Sequence, residues 1–138
     1  MADKLVRAVT NDGKFRAIAI EATDMMKTVA TFHDASQLGI TVLGRALLGS
    51  LMVSNAILKG DERLAISIDG QGPAGKIVVE ASAQGEVRGY VSNPQVTLPL
   101  TSQGQPDVAK AVGTDGYLSV RKDFGTDEPF TGQVALVT

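Results

Sequence analysis

The 138-residue sequence contains no cysteine and no tryptophan, and its single histidine is His33. Without cysteine, disulfide bonds, thiol catalysis and thiolate metal sites are excluded. One histidine cannot build an imidazole metal site unless carboxylates supply the other ligands. The aromatic residues are two Tyr and four Phe, which provide little surface on which nucleic-acid bases could stack.

The sequence also lacks a bias toward charge of one sign. Its formal net charge is -2; residues 1–70 hold eight basic and eight acidic side chains, and residues 71–138 hold five and seven. Because no basic stripe could follow a phosphate backbone, we expect no nucleic-acid partner. A content of 43% hydrophobic and 20% charged residues is typical of a folded domain, and the length suits one domain.

A membrane span is not expected either. Charged residues interrupt the N-terminal segment, so it does not resemble a signal peptide. The longest apolar stretch, residues 38–58, has Arg45 near its middle. An arginine at the bilayer centre costs roughly 2.5–3.5 kcal/mol on insertion scales. We therefore interpret residues 38–58 as a buried helix of a cytoplasmic protein.

The first third of the sequence predicts a hairpin and a short helix. Residues 4–9 and 15–22 are β-capable, and the Asn11-Asp12-Gly13 turn signal lies between them. Residues 24–34 have apolar side chains at helical spacing, and Thr23 could cap the helix N-terminus.

Residues 36–59 give the strongest helix prediction. Apolar residues occur on most sides of the helix, with a leucine at every fourth position from Leu43 to Leu51, which is typical of a helix buried on most sides. Gly60 is a natural C-terminal stop. Gly44 and Gly49 each cost about 1 kcal/mol relative to Ala in a helix. They suggest that a sheet or a second subunit approaches the helix closely. The alternative is that Gly39 lies in the lead-in before the helix proper and that the helix simply contains two interior glycines.

After Gly60 the apolar period changes to two, which predicts strands. The segment 92–106 holds three prolines and is interpreted as a loop or edge segment. The predicted fold class is α+β, in one domain, with a mostly antiparallel meander, one long buried helix (about 36–59) and a short preceding helix. The predicted strands after Gly60 are 64–68, 77–81, 87–91, 117–122 and 132–137.

Two short motifs match signatures of nucleotide enzymes, but their context does not. Residues 70–75 (GQGPAG) fit GxGxxG, yet a strand follows where a helix N-terminus must hold the pyrophosphate. A hairpin turn is the better interpretation. Asp123-Phe124-Gly125 spells a kinase magnesium motif without the phosphate loop that should precede it, and is interpreted as a turn.

Other chemically capable residues also favour structural roles. His33 is expected at the end of the first helix, where a cation suits the helix dipole, and no nucleophile pairs with it in sequence. Met25-Met26 could supply adaptable apolar binding surface, although core filling is the commoner use. We therefore predict no enzymatic activity and no catalytic, cofactor-binding or metal-ligating residue in this sequence.

Several stretches together resemble the redox-regulated 33 kDa chaperonin family of bacteria. They occur in the family's order and at its spacing, and they cover nearly the whole chain. No single stretch is specific, but the series is. The stretches are His33 with Ser36, then residues 42–47, 58–60, 70–75, 87–94, 112–123 and 128–134.

The resemblance implies a cytoplasmic stress-response chaperone. Such a holdase binds unfolding proteins under oxidative stress without ATP and forms a homodimer through this N-terminal region. In the family, a linker and a C-terminal domain that binds zinc through four cysteines follow, and oxidation of that domain switches client binding on. Residues 1–138 are expected to be the N-terminal chaperone core, with that linker and zinc domain absent and no cofactor. Phe130 stands where the family usually has Tyr.

Two other functions remain open from the sequence. One is a small-molecule enzyme of α+β fold, which a deep cleft with clustered carboxylates would favour. The other is a purely structural dimerisation module. A broad apolar surface shared with a second chain would favour the chaperone, which would bind clients through an adaptable apolar face rimmed by charge.

Overall fold

The computed structural model describes residues 2–137, which form seven strands and three helices. These are β1 Lys4–Val9, β2 Arg16–Glu21, α1 Thr23–Phe32, α2 Gln37–Ile57, β3 Arg63–Asp69, β4 Ile77–Ser82, β5 Val87–Val91, α3 Val108–Val112, β6 Tyr117–Asp123 and β7 Phe130–Ala135. The α+β class is confirmed. The short helix α3 is a feature that the sequence patterns did not predict.

All strand pairs are antiparallel, but the larger sheet is not a simple meander. β1 and β2 form the predicted hairpin, and the other strands form one sheet in the order β5-β4-β3-β6-β7. The chain therefore returns from β5 across the sheet to place β6 beside β3. Residues 92–116, which contain the proline-rich loop and α3, make this crossing.

Helix α2 packs across β4 and β5 and reaches β3. Its leucines Leu43 and Leu47 meet Ile77, Val79 and Val91 of the sheet in the main core. By length and mean hydropathy α2 could cross a membrane, a test that core helices of soluble proteins also pass. Nine of its residues are buried against the rest of the chain, which is the arrangement of a core helix.

The N-terminus of α1 corrects one sequence prediction. Thr23 does not cap the helix; the N-cap position is Ala22, which has no side-chain cap. Instead the Asp3 carboxylate accepts hydrogen bonds from the backbone N–H groups of Asp24 (2.9 Å) and Met25 (2.8 Å). A carboxylate at this position also suits the positive end of the helix dipole. A cap supplied from 21 residues away is invisible to a local pattern.

Both ends of α2 differ slightly from the prediction. Ser36 is the N-cap, and its hydroxyl accepts a hydrogen bond from the N–H of Gly39 at 3.0 Å. The helix ends at Ile57 with Leu58 extended, so Gly60, at φ +56°, lies in the following turn and is not the helix stop. Leu58 is buried beside Leu64 and Ile66, and this burial draws the chain out of the helix early.

The helix glycines have three different environments. A Cβ on Gly39 would lie 2.0 Å from the Pro94 carbonyl oxygen, and one on Gly44 would lie 2.1 Å from the Met26 methyl carbon. A Cβ on Gly49 would meet nothing within 4 Å. The close approach expected of a sheet is made instead by the Pro94 loop at Gly39 and by α1 at Gly44. Gly39 lies inside the helix and not in its lead-in.

Candidate functional site

The apolar side chains of the sheet lie on the face that carries α2. Residues directly opposite in an antiparallel pair share a face, and the register aligns Ile66 with Val79 on one side and Val120 on the other. Ile68 is likewise opposite Leu118. Since α2 lies against β3, β4 and β5, the β6–β7 end of the same face is where apolar side chains stay accessible.

We call this region the β6–β7 surface: Leu118, Val120, Phe130 and Val134, with Ile57 at its border. Leu118 and Val120 are half-buried against the small cluster around Leu64 and Ile66. Val134, opposite Leu118, is 60% exposed, and Phe130 is 59% exposed. The Phe130 ring lies over Gly132: a Cβ added to Gly132 would be 3.5 Å from the ring atom Cε1 of Phe130. These side chains form a continuous apolar strip beside the end of α2.

A polar group borders the strip at the C-terminal end of α2. The Lys122 ammonium donates to the Ile57 carbonyl oxygen at 3.3 Å and lies 3.4 Å from the Glu62 carboxylate. It also stands 4.8 Å from the centre of the Phe124 ring. The backbone N–H of Lys59, and then Lys122, hold the pKa of Glu62 below its usual value. This end of the surface is therefore bordered by an ion pair whose side chains are 19% and 21% exposed.

The hairpin presents a second exposed apolar region. Arg7 donates a hydrogen bond to the side-chain oxygen of Asn55 in α2 at 3.1 Å. The face of the hairpin that carries Arg7 and its register partner Ile18 is therefore the face toward the helix. The opposite side of the hairpin carries mainly Val6, Ala8, Ala17 and Ala19, and Val6 is 57% exposed. A two-stranded hairpin is at best marginally stable alone, so an apolar outer face favours further association.

The clefts offer little for catalysis. A polar cleft of about 430 Å³ at one end of the sheet is lined by residues that include Asp69, Lys76, Asp115 and Tyr117. Within residues 2–137 no group of three or more His, Asp or Glu side chains could hold a metal ion. The residues present therefore do not fit a zinc site, since the sequence also lacks cysteine.

The motifs singled out in the sequence lie in structural positions. The 70–75 segment connects β3 to β4, and the N–H groups of Gly72 and Ala74 donate to the carbonyl oxygens of Val112 and Ala111. A Cβ on Gly70 or Gly72 would come within 2.3–2.4 Å of backbone oxygens in residues 111–113. These glycines allow the 70–75 segment to touch the C-terminal end of α3, and the segment is followed by strand β4 rather than by a helix.

The other candidates are also dispersed. Asp123 ends β6 and accepts a hydrogen bond from the Gly125 N–H at 2.8 Å, which is a turn interaction. His33 is the C-cap of α1, at the predicted place. Met25 packs against the main core, and Met26 fills the notch at Gly44. The structure does not bring these residues together.

The sequence patterns did not identify the members of the β6–β7 surface as a binding surface. Their alternation predicted strands, and that signal is the same for a covered and an uncovered strand. Phe130 lay outside the predicted last strand, 132–137, because the strand begins two residues earlier at Phe130. Which strands α2 covers depends on the crossing of residues 92–116, which no local pattern encodes.

The fold presents an open apolar sheet surface, a feature typical of proteins that bind other proteins. Comparison with known proteins gives the class a name. A sequence model described as "Hsp33 protein" matches residues 3–138. The chain belongs to the Hsp33 family of chaperones, a non-enzymatic class.

Individual relatives agree with this assignment. The chain is 48% identical over 138 residues to the 33 kDa chaperonin of Latilactobacillus sakei, covering 100% of this chain and 47% of the relative. It is 51% identical over 136 residues to that of Bacillus subtilis, covering 99% and 46%. The crystal structure of the Thermotoga maritima 33 kDa chaperonin superposes with a TM-score of 0.89 at 38% identity, over 95% of this chain and 44% of that one. The chain spans about half the length of these relatives.

Proposed function

We propose that residues 1–138 act as the client-binding core of a cytoplasmic, ATP-independent holdase of the redox-regulated type. The observation that carries the proposal is the β6–β7 surface, where Val134 and Phe130 are 60% and 59% exposed on one face of the sheet. Such a surface binds partners by removing apolar area from water and needs no particular client sequence. Membership of a chaperone family supports unfolded proteins as the partners.

The same proposal places the redox switch outside this chain. The sequence contains no cysteine, so thiol oxidation cannot act within it. Three of its methionines lie in the described part of the chain; Met52 is 38% exposed and Met26 fills the notch at Gly44. Their oxidation would make these side chains more polar and tend to weaken apolar contacts. We therefore expect binding by this chain to be constitutive, and the chain to hold no metal.

The direct test is suppression of aggregation of a thermally unfolding protein. We expect the chain to suppress aggregation when it is present in an amount stoichiometric with the unfolding protein. The degree of suppression should be equal with and without ATP, and equal after pretreatment of the chain with peroxide or with reductant. The unfolding protein alone, and with a non-chaperone of similar size, provide the baselines. A strong gain after peroxide would show that a switch does lie within these residues. No suppression under any condition would contradict the proposed function.

We also propose that the chain forms a homodimer. The outer face of the hairpin supports this, as does the apolar character of α2, whose Met52 and Val53 are more than a third exposed. Light scattering should give twice the 14.4 kDa of one chain. Val6→Lys, on the outer hairpin face, should shift the mass toward the monomer. Val134→Lys serves as the matched control and should not. A wild-type monomer at micromolar concentration would count against the dimer.

A further inference from the structure

A cleft of about 480 Å³ lies between the hairpin and the rest of the protein. The hairpin, α1, α2 and the turn from β4 to β5 all contribute residues to its lining. Its volume is within the range of pockets that hold small molecules. Because the cleft adjoins β5, at the opposite edge of the sheet from β7, it is separate from the β6–β7 surface.

Five apolar side chains from four elements line this cleft. Leu5 and Ile20, which are opposite each other in the hairpin, are joined by Met25 of α1, Leu51 of α2 and Val87 of β5. Leu51 is only 6% exposed, and Ile20, Met25 and Val87 are half-buried. A hydrocarbon group placed beside them would remove their remaining accessible area, and its own, from water.

The cleft also contains a cation without an anionic partner. Its charged lining residues are Asp3, Lys4 and Arg7. The Asp3 carboxylate already accepts the two N–H groups at the start of α1. Lys4 lies opposite Glu21 and, by the alternation of side chains along a strand, on the outer face of the hairpin. Arg7 is on the inner face, and none of the ion pairs within residues 2–137 involves it.

The Arg7 guanidinium is held in position before any ligand arrives. Its Nη2 donates to the side-chain oxygen of Asn55 at 3.1 Å. A guanidinium carries five N–H donors, so others remain for a ligand. Arginine commonly binds a carboxylate through two parallel hydrogen bonds, and a side chain that is already fixed loses less freedom when it does so. A dianion fits less well, because the Asp3 carboxylate in the same lining would repel it.

We propose that this cleft binds a small aliphatic monocarboxylate, with its carboxylate on Arg7 and its hydrocarbon tail against Ile20 and Leu51. One cation beside an apolar lining matches the single charge and the tail of such a molecule. A peptide C-terminus carries the same carboxylate, but its amide groups would need hydrogen-bond partners along an apolar lining. The bound acid would connect the hairpin to α2. This binding is separate from client holding and does not depend on it.

Isothermal titration calorimetry with octanoate, below its micelle concentration, tests the site. We expect one octanoate per chain. Arg7→Gln removes the charge and keeps an amide donor, and should weaken the affinity about tenfold or more. Arg16→Gln is the matched control, because Arg16 is exposed on the same hairpin and does not line the cleft. It should change the affinity less than about twofold. Equal weakening by both substitutions would contradict a specific contact with Arg7.

Three other ligands test the site on the wild-type chain, so that the result does not depend on how the Arg7 variant folds. Octylamine reverses the charge, acetate lacks the tail, and acetyl-alanyl-leucine offers its carboxylate at a peptide C-terminus. Each should bind about tenfold or more weakly than octanoate. Equal binding of octylamine would show that apolar contact alone governs the cleft. Tighter binding of acetyl-alanyl-leucine would show that a chain terminus is the occupant. Either result would overturn the proposal.

The methionine methyl groups report where octanoate binds. Met25 lines the cleft, whereas Met52, 38% exposed on α2, does not. In protein isotope-labelled at these methyl groups, octanoate should shift the NMR signal of Met25 and leave that of Met52 unchanged. Because the ligand binds the folded chain, Tm should rise with its concentration. Equal shifts at both methionines, or a fall in Tm, would identify octanoate as a non-specific surfactant and exclude the site.

Discussion

Replacing Gly39 with alanine is expected to lower the melting temperature clearly, although alanine is the better helix former. The new Cβ would lie 2.0 Å from the carbonyl oxygen of Pro94 and 2.9 Å from its carbonyl carbon. Both are backbone atoms, so neither can rotate away as a flexible side chain could. Nearby, the Ser36 N–H donates to the Pro94 oxygen at 2.9 Å, which further fixes the loop against the helix.

The expected net cost of Gly39→Ala is about 1–3 kcal/mol, typical of overpacking at a well-packed contact. In a domain of this size that corresponds to a fall of roughly 3–12 °C in Tm, measured by circular dichroism. Gly49→Ala is the matched control. Nothing lies within 4 Å of its new Cβ, so helix propensity should raise stability by up to about 1 kcal/mol. Equal effects of the two substitutions would contradict the packing described for α2 and the Pro94 loop.

Placing a charge on the β6–β7 surface is expected to abolish most client holding. Val134 is 60% exposed, and the side chain opposite it is Leu118. Val134→Lys would put a charge where client apolar groups must be buried. Losing the burial of one such side chain costs about 1.5–3 kcal/mol, or about tenfold to hundredfold in affinity. Position 130 is less suitable for this test, because a lysine there would face Lys122 across the strands.

Val9→Lys is the control for this second experiment. Val9 is also a strand valine, is 64% exposed, and lies on the hairpin rather than on the β6–β7 surface. We expect Val9→Lys to suppress aggregation as well as wild-type chain and to have the same far-ultraviolet spectrum as Val134→Lys. If both variants lose activity equally, general surface charge rather than the β6–β7 surface governs client binding. If neither loses activity, clients are bound elsewhere.

Local patterns predicted the elements of this fold well because each depends on neighbours in sequence. The Asn11-Asp12-Gly13 signal gave the hairpin, and alternation gave β3, β4 and β5 within one residue at each end. The end of α2 was missed because Leu58 leaves the helix to join the Leu64 cluster. The Thr23 cap was wrong because Asp3 reaches the same N–H groups from outside the local window.

The candidate site shows more clearly the difference between what the local sequence determines and what contacts between distant elements determine. The sequence determined that this chain has no thiol chemistry, that residues 70–75 precede a strand, and that one helix is apolar on most sides; the resemblance of its segments pointed to the correct family. It did not determine which apolar strand positions remain exposed. That depends on the return of the chain from β5 to the far side of β3, which places β6 and β7 beside the strands that α2 covers. Burial is a property of elements distant in sequence, so Val134 became a surface residue only through the tertiary structure.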